Sequence, residues 1–301
     1  MNGRMEIVEV GPRDGLQNER KIIETSTKIA LITRLIDAGA RRIEVASFVN
    51  PRRVPQMADG DAVIAALPDR ADVSYIGLCL NLRGVERAIE SRHGTLRGVD
   101  EAGCVIVASD TFGIRNQGQT IADGIAANSA MLRAAAKGGL MPQVTISAAF
   151  GCPFEGPVPP ARVVKIAEAM ADAGAVEIAL ADTIGVAVPA QVGDLFGAVA
   201  AAVPGVRLRA HFHDTRSTGI ANAWAAYQAG VCVIDASIGG LGGCPFAPNA
   251  TGNIATEDLL YLLDNSGIVT GIELAAMIGV NRWFAGILGL TLPSRVARAA
   301  A

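Results

Sequence analysis

The chain predicts a single α/β domain over residues 1–301, a (β/α)8 TIM barrel with extra C-terminal helices and a glycine-rich loop after the eighth strand. Three observations carry that expectation. Eight short apolar runs alternate with helix-patterned segments, no Pro/Ser-rich linker separates them, and 301 residues is an ordinary length for one such barrel. Hydrophobic residues make up 50% of the chain and aromatics only 4%, with 34 glycines, which suits close-packed helices around a sheet. A doubly wound open sheet is the alternative, but eight regular units favour closure.

The strand candidates are residues 6–10, 42–46, 73–78, 104–108, 143–148, 176–181, 207–213 and 231–237. Helical patterns fill the intervals at 25–38, 60–66, 82–91, 121–137, 160–173, 189–203 and 217–229. Pro159-Pro160 suits a helix start, and Gly174 and Gly230 suit C-terminal caps. Residues 256–266 and 272–288 read as two further helices.

Charge and cysteine usage exclude several classes. A net charge of −3 leaves no basic footprint for nucleic acid or an anionic membrane. No apolar run approaches the roughly 20 residues of a membrane span. The N-terminus carries Glu6 and Glu9 and enters a strand pattern at once, unlike a signal peptide. Five cysteines form no Cys-X-X-Cys pair, and their odd number fits a reduced, cytoplasmic setting. The chain ends in Ala299-Ala300-Ala301, without a peroxisomal signal.

The chemistry of such barrels sits at the C-terminal ends of the strands. There the seventh strand ends in His211-Phe212-His213-Asp214. Residues two apart on a strand point the same way, so the two imidazoles converge. A bare His-X-His serves structural hydrogen bonding as readily as metal binding. Other polar residues gather at the same rim. Arg13 and Asp14 follow the first strand, and Glu44 lies within the apolar second strand. Asp182 follows the sixth strand, and Cys244 and Asn253 lie in the loop after the eighth. Singly, Asp14 reads as a turn former, Glu44 as an arginine partner and Asp182 as a helix cap. Together they offer more. Asp14, His211 and His213 with the Asn253 carbonyl form a mixed ligand set suited to Mg²⁺ or Mn²⁺, and compatible with Fe²⁺ or Zn²⁺. Glu44 and Asp182 would then orient ligands or hold water.

Residues 239–253 contain five glycines around Cys244, a pattern expected of a mobile flap carrying an acid or base. A phosphate-binding or merely connecting loop is the simpler alternative. Cys152, in Gly151-Cys152-Pro153, has a similar context, and spacing does not choose between the two thiols.

Four segments carry a resemblance: residues 8–19 with Arg13-Asp14-Gly15, Ala181-Asp182-Thr183, His211-Phe212-His213-Asp214 and the loop 239–253. Together they resemble the 3-hydroxy-3-methylglutaryl-CoA lyase family, over roughly residues 6–288. The Arg-Asp-Gly and His-X-His-Asp elements belong to the wider group of metal-dependent lyases and condensing enzymes. The Gly-Gly-Cys-Pro loop, with Asn253 beyond it, marks the lyases. The resemblance implies Asp14, His211, His213 and Asn253 as metal ligands, with Arg13 and Cys244 catalytic. It implies support from Glu44 and Asp182, an acyl-CoA substrate and a homodimer.

The implied reaction is retro-Claisen cleavage of a 3-hydroxy-3-methyl acyl-CoA to acetyl-CoA and acetoacetate. In it, the metal would bind the substrate hydroxyl and a carboxylate oxygen. His211 or Cys244 would remove the hydroxyl proton, Arg13 would meet charge on the thioester oxygen, and Cys244 would protonate the enolate. Three departures from the family pattern fall near the expected acyl or CoA arm: Arg216-Ser217 after the His-Asp-Thr element, Cys79-Leu80-Asn81 after the third strand, and a longer segment at 91–98 carrying a surface His93. They leave isohexenylglutaryl-CoA or citramalyl-CoA open as substrates. A condensing enzyme joining acetyl-CoA to a 2-oxo acid, and a non-catalytic acyl-CoA or metal binder, are rival readings. The cysteine loop speaks against the first and the intact polar set against the second.

Overall fold

A computed structural model describes residues 3–94, 97–243 and 252–300. Eight parallel strands close into a barrel. They are β1 (Glu6–Glu9), β2 (Arg42–Ser47), β3 (Ser74–Cys79), β4 (Glu101–Val107), β5 (Met141–Ser147), β6 (Glu177–Asp182), β7 (Arg207–Phe212) and β8 (Val233–Ala236). Chain order runs round the barrel, and closure comes from β1 pairing with β8, Glu6 beside Val233 and Glu9 beside Ala236.

The helices follow the expected alternation, from Thr25–Asp37 to Gly219–Gln228, and Thr256–Asn265 and Leu274–Leu288 complete it. Three elements were not expected. A short helix, Asp110–Gln117, follows β4, a two-stranded ribbon pairs Gly151–Cys152 with Gly156–Pro157, and Arg295–Ala299 forms a last helix. Asp110–Gln117 escaped the periodicity because its sequence, with a glycine and an asparagine, lacks an apolar stripe; Ser109 starts it by accepting from the Phe112 N–H.

β4 starts at Glu101, three residues earlier than apolar patterning suggests, because its charge is met inside the barrel. Arg42, at the start of β2, donates to both oxygens of Glu101 and both oxygens of Glu177, at 2.7–2.8 Å. Ser74 and Gln143 also donate to Glu101, at 2.6 and 2.8 Å. The N-terminal mouth of the barrel is thus plugged by ions. Val8, Val10, Ile76 and Val233 form a small apolar group apart from the main core. That main core fills the shell between strands and helices, where Leu31, Ile32, Phe196 and Phe284 are fully buried. An interior polar at both ends leaves the strands to be held mainly from outside, by helix packing.

Candidate metal and acid–base site

Val10-Gly11-Pro12-Arg13-Asp14 leaves β1 and at once coils into a π-helical turn, Gly11–Gly15. A Cβ on Gly11 would stand 2.6 Å from the Glu9 carboxylate and 2.7 Å from Ile238, so only glycine fits. The turn carries Arg13 and Asp14 inward over the strand ends. Asp14 is almost fully buried.

The seventh strand supplies the histidines. Its end pairs antiparallel with the returning loop: the Asp214 N–H donates to the Gly252 carbonyl at 3.0 Å, and the Ile254 N–H to the Phe212 carbonyl at 3.1 Å. His213 and Asn253 are bridge partners in that pairing. A Cβ on Gly252 would collide with the Gly240 carbonyl, so this crossing also requires glycine. Asn253 therefore reaches the site through backbone pairing rather than by chance of a loop.

The site gathers as the sequence suggested. One ligand atom each from Asp14, His211 and His213 lie within 4.8 Å of one another. Asn253 donates from Nδ2 to Asp14 Oδ2 at 2.8 Å and to the Leu241 carbonyl at 3.1 Å, and its buried Oδ1 has no hydrogen-bond partner. A buried carbonyl oxygen left so is costly unless something electropositive meets it. Two imidazoles, a carboxylate and an amide oxygen are a donor set that a divalent cation fits.

Arg13 is held from two sides, by Asp14 Oδ1 at 2.8 Å and Glu44 Oε2 at 2.5 Å. Burial alone would raise the pKa of Asp14, but Arg13, the two imidazoles and the Asn253 hydrogen bond bring it down to about 2. Glu44 is pushed up, chiefly by burial and against the pull of Arg13.

Asp182 acts differently from a group facing the site. Its oxygens accept from the Val186 and Ala187 N–H groups, both at 2.9 Å, and its carbonyl accepts from the His213 N–H at 3.3 Å. Any support it lends comes through loop and backbone. Cys152 lies buried, its Sγ 3.0 Å from Ser109 Oγ and accepting from the Phe154 and Glu155 N–H groups. Cys244 lies outside the described residues, while Gly243 beside it lines the cavity.

Two residues of the site were not singled out from the sequence. Asp235 sits alongside His211 because β8 pairs with β7 in the register Val233–Arg209, and its Oδ2 is 3.0 Å from His211 Nδ1. A carboxylate only accepts, so Nδ1 carries the proton of that bond and Nε2 faces the ligand set. The signal existed: an acid inside an apolar strand, the same sign that marked Glu44. Gln17, four residues after Arg13, accepts from Arg13 at 3.2 Å and donates to Asp14 at 3.1 Å.

Above the site opens a cavity of about 550 Å³. Its floor holds Arg13, Asp14, Glu44, His211 and Asp235, and an apolar side comes from Val10, Leu78, Leu80, Val105 and Phe112. Arg53, Arg115 and Asn116 stand among its lining residues as polar groups. Asn81 caps the helix Leu82–Glu90, so of the unusual Cys79-Leu80-Asn81 segment it is Leu80 that meets the cavity. Arg216 turns away and donates to the Ile184 and Gly185 carbonyls, and His93 is exposed as expected. Among the described residues, no helix is long and apolar enough to cross a membrane.

Known proteins share this architecture and sequence. The chain is 45% identical to an (R)-citramalyl-CoA lyase of Chloroflexus aurantiacus, over 97% of this chain and 94% of that protein. It is 42% identical to a 3-hydroxy-3-isohexenylglutaryl-CoA/hydroxymethylglutaryl-CoA lyase of Pseudomonas aeruginosa, over 98% of this chain and 97% of that one. The crystal structure of a Bacillus subtilis HMG-CoA lyase superposes with a TM-score of 0.94 at 38% identity, covering 99% of this chain and 98% of that one. The HMGL-like family model matches residues 4–283. Fold and sequence thus agree, and the chain belongs to the HMGL-like family, that of the HMG-CoA lyases.

Proposed function

We propose that this protein is a divalent-metal-dependent carbon–carbon lyase that cleaves 3-hydroxy-3-methylglutaryl-CoA to acetyl-CoA and acetoacetate. The observation that carries the reading is the convergence of Asp14, His211 and His213 within 4.8 Å, joined by the unpartnered Asn253 Oδ1 and flanked by Arg13. Those four residues would hold Mg²⁺ or Mn²⁺, which supplies Lewis-acid polarisation of substrate oxygens when bound.

The remaining work falls to the chain itself. Arg13 is a permanent cation locked by Asp14, Gln17 and Glu44, so it meets charge developing on the thioester oxygen without reorganising. Asp235 occupies His211 Nδ1, and Nε2 belongs to the ligand set, which favours His211 as ligand over proton acceptor. Cys244 then carries the proton: its thiolate takes it from the tertiary hydroxyl, the C2–C3 bond breaks, and the thiol returns it to the enolate carbon. The apolar wall with Leu80 suits the methyl-branched carbon and shields the enolate from water.

Citramalyl-CoA is the second reading, favoured by the 45% identity to a lyase of that name. It shares the tertiary methyl carbinol and differs by one methylene, so its cleavage gives acetyl-CoA and pyruvate by the same steps. Purified protein with Mn²⁺ and a panel of 3-hydroxyacyl-CoAs, followed for acetyl-CoA, acetoacetate and pyruvate, tests both. Condensation of acetyl-CoA with a 2-oxo acid and release of free CoA, without carbon–carbon cleavage of any 3-hydroxyacyl-CoA, would overturn them.

A further inference from the structure

Between the ion plug and the metal-ligand set, the barrel interior holds a buried cation that the chemistry above leaves unused, Arg209. Arg209 lies two residues before His211 on β7, so its side chain points to the same face, one layer deeper. It is 5% exposed and lines the cavity. Its Nε stands 3.5 Å from Asp235 Oδ1 and 3.5 Å from Glu177 Oε1, and its Nη2 donates to Thr145 at 3.3 Å.

Two atoms are informative. Arg209 Nε and Asp235 Oδ1 are both buried without a hydrogen-bond partner, and they face each other. Each would be costly alone in this interior, and as opposite charges they offset one another. The other oxygen of Asp235 is the one engaged by His211. The carboxylate is therefore gripped on one side by a cation and on the other by the imidazole. With Oδ2 on the imidazole and Oδ1 facing the guanidinium, the carboxylate is held from both sides, and it in turn orients the His211 ring.

We propose that Arg209 is a positioning residue for metal capture, acting through Asp235 on the orientation of His211. The chain of contacts runs from the ion plug at the barrel's closed mouth, through Glu177 and Arg209, to Asp235 and the ligand set. It ties the ligand geometry to a buried network of ion pairs on the strands themselves. This inference rests on reading Asp14, His211, His213 and Asn253 as a metal site.

The test is Mn²⁺ affinity of the metal-stripped full chain, read by titration calorimetry or by the EPR signal of free Mn²⁺. It is run at about pH 8, where proton competition for imidazole is small. Variants are Arg209→Met, Asp235→Asn and the double substitution. Outer partners of metal ligands are typically worth about 10–100-fold in affinity. Asp235→Asn is expected in that range and Arg209→Met near its lower end, about tenfold. The double variant should bind no worse than Asp235→Asn alone, since Arg209 acts through that carboxylate. An Arg209→Met affinity within about twofold of the original, or losses that multiply in the double variant, would overturn the proposal. If Arg209→Met does not fold, Arg209→Lys replaces it; one ammonium cannot face both carboxylates in the same geometry, so a several-fold loss is expected and unchanged affinity counts against the role. Absence of Mn²⁺ binding by the unmodified chain would instead overturn the metal reading itself.

Discussion

Asn253 and Asp14 lie 239 residues apart in the chain and meet at 2.8 Å, the amide nitrogen of one on the carboxylate of the other. That bond commits Asn253 Nδ2 and leaves the buried Oδ1 of the same amide without a hydrogen-bond partner. In the proposed metal site the amide would orient the Asp14 carboxylate and offer its own oxygen at once. Removing it should damage both functions. Asn253→Ala is expected to weaken Mn²⁺ binding by at least tenfold, on the scale of about 10–100-fold seen for groups that orient ligands. Calorimetric titration of metal-stripped protein checks this, and an unchanged affinity would show that Asn253 is a structural cap only.

Arg13→Gln should abolish turnover and leave metal binding largely intact. The loss expected is about 10²–10³-fold in kcat, typical of removing one donor to a developing oxyanion. Glu44 would then be buried without its cation, and its carboxyl pushed up further. Steady-state rates beside Mn²⁺ titration separate the two effects; near-normal kcat would sink the assignment.

The pH dependence of stability should change sign of trend when metal is added. Burial alone would depress the His211 pKa, but the Asp235 hydrogen bond and charge, with Asp14, raise it above the ordinary 6.5. The folded value exceeds the unfolded one, so in metal-free protein this stabilisation is complete below about pH 6.5 and lost as pH rises through the raised value. Metal requires the neutral ring, so the increase in Tm on adding Mn²⁺ should grow over that same window. Asp14, at about 2, stays a carboxylate throughout and contributes nothing to the trend. A Mn²⁺ increment independent of pH from about 5.5 to 8.5 would contradict the ligand role of His211.

Arg42→Met should destabilise the barrel by about 3–5 kcal/mol, because it strands Glu101 as a buried charge and leaves Glu177 only Arg207 and Arg209. The sign follows from what remains, not from the strength of the pair. Adding Glu101→Gln and Glu177→Gln to Arg42→Met should recover much of the loss. Urea unfolding of the single and triple variants measures it, with the triple as the informative arm.

The barrel and most of its candidate site are legible from residue order. Short apolar runs spaced by helical patterns mark the strands, and barrel geometry places their C-terminal ends at one mouth, so Asp14, Glu44, His211, His213 and Asn253 can be gathered without coordinates. Asp110–Gln117 and the true start of β4 were not legible. The first has no apolar stripe, and the second opens on a charge whose partner lies 59 residues earlier.

Residue types and their spacing along the chain carried the fold, the family and the candidate ligands, because apolar runs and motifs are local properties. Only the closed barrel decided how those groups are held. Register between β7 and β8 set Asp235 against His211, the antiparallel return of residue 253 beside His213 aimed the amide, and the interior pairing of Arg209 with Asp235 joined the site to the ion plug. Asp182 shows the same division: its place after β6 is written in the sequence, while its engagement with backbone rather than ligands depends on how the loop 183–187 folds over it. Hydrogen-bond partners are chosen by distances across the barrel, and no linear pattern encodes those.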